Sequence, residues 1–158
     1  MSLLDLFQWL EYSSLLVAMR SSPWLFPVIA TIHLLGLAVL GGAVFVVDLR
    51  LLGLCLSRQP PAQLARDAQP LLLGSLVVML VTGLLLFMCF ATKYYYLTAF
   101  WVKLASLFLA VVFTFTIRRR VVTAGETTLR ATWSRPAALV SVSLWASVLL
   151  TGRLIGFP

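Results

Sequence analysis

Ile32-His33-Leu34-Leu35-Gly36-Leu37-Ala38-Val39-Leu40-Gly41-Gly42-Ala43-Val44-Phe45-Val46-Val47-Asp48-Leu49-Arg50 is an apolar run with one histidine near its start and an Asp-Leu-Arg triplet at its end. It belongs to a longer segment, 24–47, that approaches the ~20 apolar residues needed to cross ~30 Å of hydrocarbon. Three further segments do the same: 70–90, 98–117 and 136–155. Hydrocarbon offers no partner for an unpaired backbone, so each span must be helical. The expected fold is all-α: an integral membrane four-helix bundle, one domain over residues 1–158. A preceding stretch, 3–20, is amphipathic and too polar to span. It is expected to lie in the interface plane, with Trp9 and Tyr12 near the headgroups.

Composition excludes the ordinary soluble classes. The chain is 61% hydrophobic and only 11% charged, against roughly 25% charged residues in soluble domains. The net charge of +7 does not indicate nucleic acid, because the basic residues flank apolar runs and form no face of their own. They follow membrane topology instead. Arg50, Arg58, Arg66, Arg118, Arg119, Arg120, Arg130 and Arg135 fall on one side, and Arg20, Lys93 and Arg153 on the other. The positive-inside rule then places both long connections in the cytoplasm and both termini outside. The N-terminus lacks the basic region and short apolar core of a cleavable signal. Cys55 and Cys89 lie at opposite ends of the hydrocarbon, so no disulfide is expected.

His33 is the only histidine. An ionisable group inside a span marks a functional site by default. One reading makes it a neutral imidazole bonded to a neighbouring span, worth only ~1 kcal/mol. The other makes it a metal or haem ligand. Gly36 and Gly41 share its face and leave room either for a flat macrocycle or for close helix packing. Lys103 lies at a comparable depth from the same side. Either its stem snorkels outward or its ammonium meets an anion: a ligand carboxylate, a haem propionate or a quinone oxygen. Arg153 offers the same, or simply anchors a helix end. Asp48 and Arg50, two apart, face different ways, so Asp48 is expected to pair with another span or with the basic connection. Met19, Met79, Met88 and Cys89 could give a soft copper site with His33, but they match no ligand spacing. No carboxylate relay or nucleophile–base arrangement is visible.

Several motifs carry a resemblance: Ile32-His33-Leu34-Leu35-Gly36, Asp48-Leu49-Arg50-Leu51-Leu52-Gly53, Thr82-Gly83-Leu84-Leu85-Leu86-Phe87, Ala99-Phe100-Trp101-Val102-Lys103, and Trp145 with Gly152-Arg153-Leu154-Ile155-Gly156-Phe157. Together they resemble an uncharacterised family of small four-span bacterial inner-membrane proteins. More distantly they are similar to the HemJ-like protoporphyrinogen oxidases and the copper-resistance protein D group. That likeness implies haem b, with His33 as axial ligand and Lys103 as the essential cation. Beside these, Arg153 is expected to pair with a propionate or a quinone-like substrate, and any second axial ligand would be Met88, another subunit's residue, or none. The implied work is electron transfer or membrane redox chemistry near the periplasmic face, with a redox partner protein or a homo-oligomer. Val102 stands where the HemJ-like pattern carries a second histidine, which weakens the oxidase assignment more than haem binding. The alternative is a non-enzymatic integral subunit or a copper-handling, transporter-like protein whose polar cluster binds a metal, a lipid or a partner.

Overall fold

The computed structural model describes residues 11–56, 58–124 and 128–156, and it is helical as expected. The elements in chain order are α1 Ser14–Ser21, α2 Leu25–Leu52, α3 Pro61–Cys89, α4 Ala91–Tyr95 and α5 Thr98–Phe113. They continue with a π-helical turn Thr114–Arg118, α6 Arg119–Thr123 and α7 Thr128–Gly156. Four segments are long and apolar enough to cross a membrane: Leu25–Leu52, Pro61–Cys89, Thr98–Thr123 and Thr132–Ile155. The protein is a multi-pass membrane helical bundle. Leu34, Leu35, Leu84, Phe108, Leu139 and Leu150 face outward, which is the surface lipid solvates.

The helices run past the hydrocarbon requirement at their arginine-rich ends. Pro70 and Pro136, read from sequence as span starts, lie inside α3 and α7. Helix α3 begins instead at Pro61, a first-turn position where a missing N–H costs nothing. The polar stretch 62–69 therefore continues the span as one rod rather than forming separate turns. At the other boundary, Gly53 ends α2 with φ +80°, a left-handed conformation that glycine adopts freely. Its N–H and that of Leu54 return to the carbonyls of Arg50 and Leu49 at 3.1 and 3.0 Å.

Packing is uneven around the bundle. Helix α2 lies along α3 and against α7, and α5 lies along α7. Helices α3 and α5 make no comparable contact, so the bundle has an open seam between them. The core stacks in three tiers. Leu16 and Met19 of α1 pack with Cys89, Phe26 and Met88 at one end. Leu40, Val44, Leu76, Met79, Ala110 and Trp145 fill the middle. Val47, Leu51, Leu64, Val122 and Ala138 close the arginine-rich end.

The N-terminal helix read over 3–20 lies partly outside the described residues. Within them, the chain breaks at Tyr12–Ser13 and α1 covers Ser14–Ser21. Helix α1 is fastened to the bundle. Arg20 Nη1 donates to Glu11 Oε1 at 2.8 Å and to the Cys89 carbonyl at 3.2 Å. The Thr92 N–H donates to Glu11 Oε2 at 3.0 Å. Burial pushes the Glu11 carboxyl upward, but the Thr92 bonds and the Arg20 charge outweigh it and hold the group below its ordinary value.

Candidate functional site

Two polar clusters sit inside the spans, one toward each end. The first is built on α2 and α3. His33 is buried, and its Nδ1 lies 2.9 Å from Thr82 Oγ1. Thr82 Oγ1 also lies 2.6 Å from the Val78 carbonyl, one helical turn back. A hydroxyl has one hydrogen. The shorter contact, to an oxygen that can only accept, takes it. Thr82 must then accept from His33, so Nδ1 carries the ring hydrogen. With the ring hydrogen on Nδ1, Nε2 is left as the nitrogen with a free lone pair, and the ring also has a hydrogen-bonding contact with the Met79 backbone. Fixing one ring nitrogen so that the other points at a ligand is how proteins orient a metal-binding imidazole.

Glycine at 83 makes this arrangement possible. A Cβ there would sit 3.1 Å from His33 Cε1 and 3.6 Å from Nδ1. The Cε1–Nδ1 edge of the imidazole therefore abuts the bare backbone of α3, one residue past its hydrogen-bond partner. Gly152 does the same for Lys103: a Cβ on α7 would stand 3.5 Å from Nζ. The lysine stem accordingly runs into the bundle toward α7 instead of snorkelling outward. Its ammonium has no ion pair or hydrogen bond among the described residues. Gly36 serves packing, since a Cβ there would meet Val78 Cγ1 at 3.3 Å across the α2–α3 contact.

His33 and Lys103 line one apolar cavity of about 430 Å³ in the α3–α5 seam, within the 300–1,000 Å³ range typical of small-molecule sites. Met79, Gly83 and Phe87 form one wall, and Phe100, Leu104 and Leu107 the other. Leu80, Leu84, Trp101 and Leu104 are exposed at its rim, so the cavity opens sideways toward the bilayer. One end is closed by stacked rings: Phe87 on Phe100 at 5.0 Å and Tyr94 on Phe100 at 5.6 Å.

Met88 and Arg153 do not join this cavity. Met88 packs against α1 beside Cys89. Six residues past Thr82, at 100° per residue, it faces away from His33, whereas Met79, three residues before Thr82, faces toward it. Arg153 is exposed near the end of α7. Among the described residues, no group of three His, Cys, Asp or Glu side chains could hold a metal ion.

The second cluster lies at the arginine-rich end. Arg118 Nε donates to Asp48 Oδ1 at 2.6 Å, and Nη2 donates to the Val44 carbonyl at 3.0 Å. Both side chains are buried. The π-helical turn Thr114–Arg118 shifts the register of everything after it. Within it, Thr114 Oγ1 accepts from Trp145 Nε1 at 3.2 Å. Asp48 Oδ2 and Ser141 Oγ are both fully enclosed, and the Ser141 hydroxyl is a hydrogen-bonding neighbour of the Asp48 carboxylate. Asp48 thus pairs with a residue of the third span, at the edge of the basic connection.

A bundle of spanning helices with two internal ionisable clusters defines a multi-pass membrane protein. Residues 6–158 match the family of unknown function DUF6644, and the chain belongs to that family. No curated protein and no solved structure matches the chain.

Proposed function

We propose that the chain is a haem b-binding protein of the bacterial inner membrane, engaged in electron transfer or membrane redox chemistry near the periplasmic face. The observation that carries the reading is the meeting of two groups on one apolar cavity: an imidazole anchored through Nδ1, and an unpartnered ammonium. His33 would hold the iron through its imidazole, and Lys103 would pair with a propionate carboxylate. The donor set suits this cofactor. Haem brings four nitrogens of its own and asks the protein for one imidazole and a dry slot, and the described residues supply no three-donor metal site. When bound, the iron supplies one-electron redox chemistry. The protein's own residues position the ring nitrogen, balance the carboxylate and exclude water. The likeness of Ile32-His33, Thr82-Gly83 and Trp101-Val102-Lys103 to the HemJ-like and copper-resistance D-like patterns supports the same assignment. On this reading both termini are periplasmic, the orientation the positive-inside rule gives for this arginine distribution.

A second reading, copper handling, has one observation of its own: Met79 lines the same cavity as His33, and thioether with imidazole suits Cu(I). The two separate in one preparation. Protein expressed with a haem precursor and purified in mild detergent is expected to show a Soret band that His33→Ala removes. A colourless protein that carries stoichiometric copper would favour the second reading.

A further inference from the structure

The arginine-rich end of the bundle holds a second cavity, of about 270 Å³, between α3 and the π-helical turn with α6. Its walls have two characters. Ala62, Ala65, Leu72, Phe115 and Val122 form an apolar trough, and Arg66, Arg118 and Arg119 stand around it. Arg118 spends two of its nitrogens on Asp48 and Val44. Its Nη1 has no partner among the described residues and is not among the enclosed, unsatisfied atoms, so it reaches the cavity. Arg66 and Arg119 make no ion pair among the described residues. Asp48 balances Arg118 alone, and no ion pair among the described residues balances the other two. The cavity also lies where two spanning helices run past the length that hydrocarbon requires, which is the depth of lipid headgroups.

We propose that this cavity binds the phosphate of an anionic phospholipid, with Arg66 and Arg119 gripping the headgroup from opposite sides of the cavity. Arg118 Nη1 adds a donor from the floor, and the apolar trough takes the start of an acyl chain. Three arginines beside an apolar trough fit an anionic amphiphile better than a free anion, because the trough gives a soluble phosphate nothing to bury. Basic pockets between spanning helices recognise anionic headgroups by this combination of fixed cations and chain contact. The proposal is independent of haem at the other end of the bundle.

The test uses the full chain in detergent, delipidated and then titrated with phosphatidylglycerol or phosphatidylcholine, read by native mass spectrometry and thermal shift. The wild type is expected to retain phosphatidylglycerol in preference to phosphatidylcholine. The pair Arg66→Gln with Arg119→Gln is expected to lower that affinity about thirtyfold, from the loss of two near-surface cations. The pair Arg58→Gln with Arg120→Gln removes the same charge from exposed positions outside the cavity and is expected to leave the preference intact. Both variants keep Arg118 and so keep the ion pair inside the bundle. Equal retention of the two lipids by the wild type overturns the proposal, as does an equal loss in both variant pairs. Protection by glycerol phosphate matching that of the lipid would reassign the site to a soluble phosphate and overturn the lipid assignment.

Discussion

Removing one partner of the Asp48–Arg118 pair should destabilise the bundle more than removing both. The two side chains meet at 2.6 Å with 0% and 6% of their surface exposed. Truncating one partner of such a pair costs ~3–5 kcal/mol, since the remaining charge is left buried. Asp48→Ala strands the Arg118 guanidinium, although its bond to the Val44 carbonyl survives. Arg118→Ala removes that bond as well and strands a carboxylate that is 0% exposed and keeps only the Ser141 hydroxyl beside it, so it should fall at the upper end of that range. Replacing both by apolar residues of similar volume, Asp48→Leu with Arg118→Met, should cost less than either single change, because no charge is left without a partner. The assay is equilibrium unfolding in mixed micelles across the double-mutant cycle, which isolates the pairwise term. The expected coupling is ~2 kcal/mol or more. Single-mutant losses that add to within about 0.5 kcal/mol would refute the reasoning and show the pair to be solvated in the native state.

Gly83→Ala places a methyl 3.1 Å from His33 Cε1 and should cost ~1–3 kcal/mol through overpacking, measurable in the same unfolding assay. Thr82→Val removes the hydroxyl that meets His33 Nδ1. The expected loss is ~1–3 kcal/mol of stability, with ligand affinity at the His33 cavity reduced about 10–100-fold in a haem titration. Glu11 titrates below its ordinary value of 4.5. Its contribution to docking α1 is therefore fully present above pH 4.5 and is lost as pH falls through the lower folded value. Hydrogen exchange of 14–21 should accelerate on acidification below pH 4.5 in the wild type, and Glu11→Gln should remove that dependence.

The four spans were legible because length and hydropathy alone determine what can cross a bilayer. Depth was legible too: counting residues from the span ends put His33 and Lys103 toward the same side, and the structure brings both to one cavity. Rotation was harder. Met88 lies only six residues from Thr82, yet it faces α1, and α1 is where the sequence signal is weakest. The roles of Gly83 and Gly152 appear only when two helices are docked, since each glycine accommodates a side chain from a different span. Asp48 was expected to pair away from Arg50, but the choice of Arg118 depends on the π-helical turn, which has no sequence signature of its own. How far the helices extend beyond the spans was not legible: α3 and α7 begin well before Pro70 and Pro136, because polar flanks outside hydrocarbon leave no hydropathy signal.

Haem binding at His33 is tested most directly by the oxidised and reduced absorption spectra of three proteins expressed with haem precursor: wild type, His33→Ala and Met88→Leu. A Soret band should be present in the wild type, absent from His33→Ala and unchanged in Met88→Leu, whose side chain lies outside the cavity. A wild type without a Soret band, or a His33→Ala protein that keeps one, would contradict the assignment.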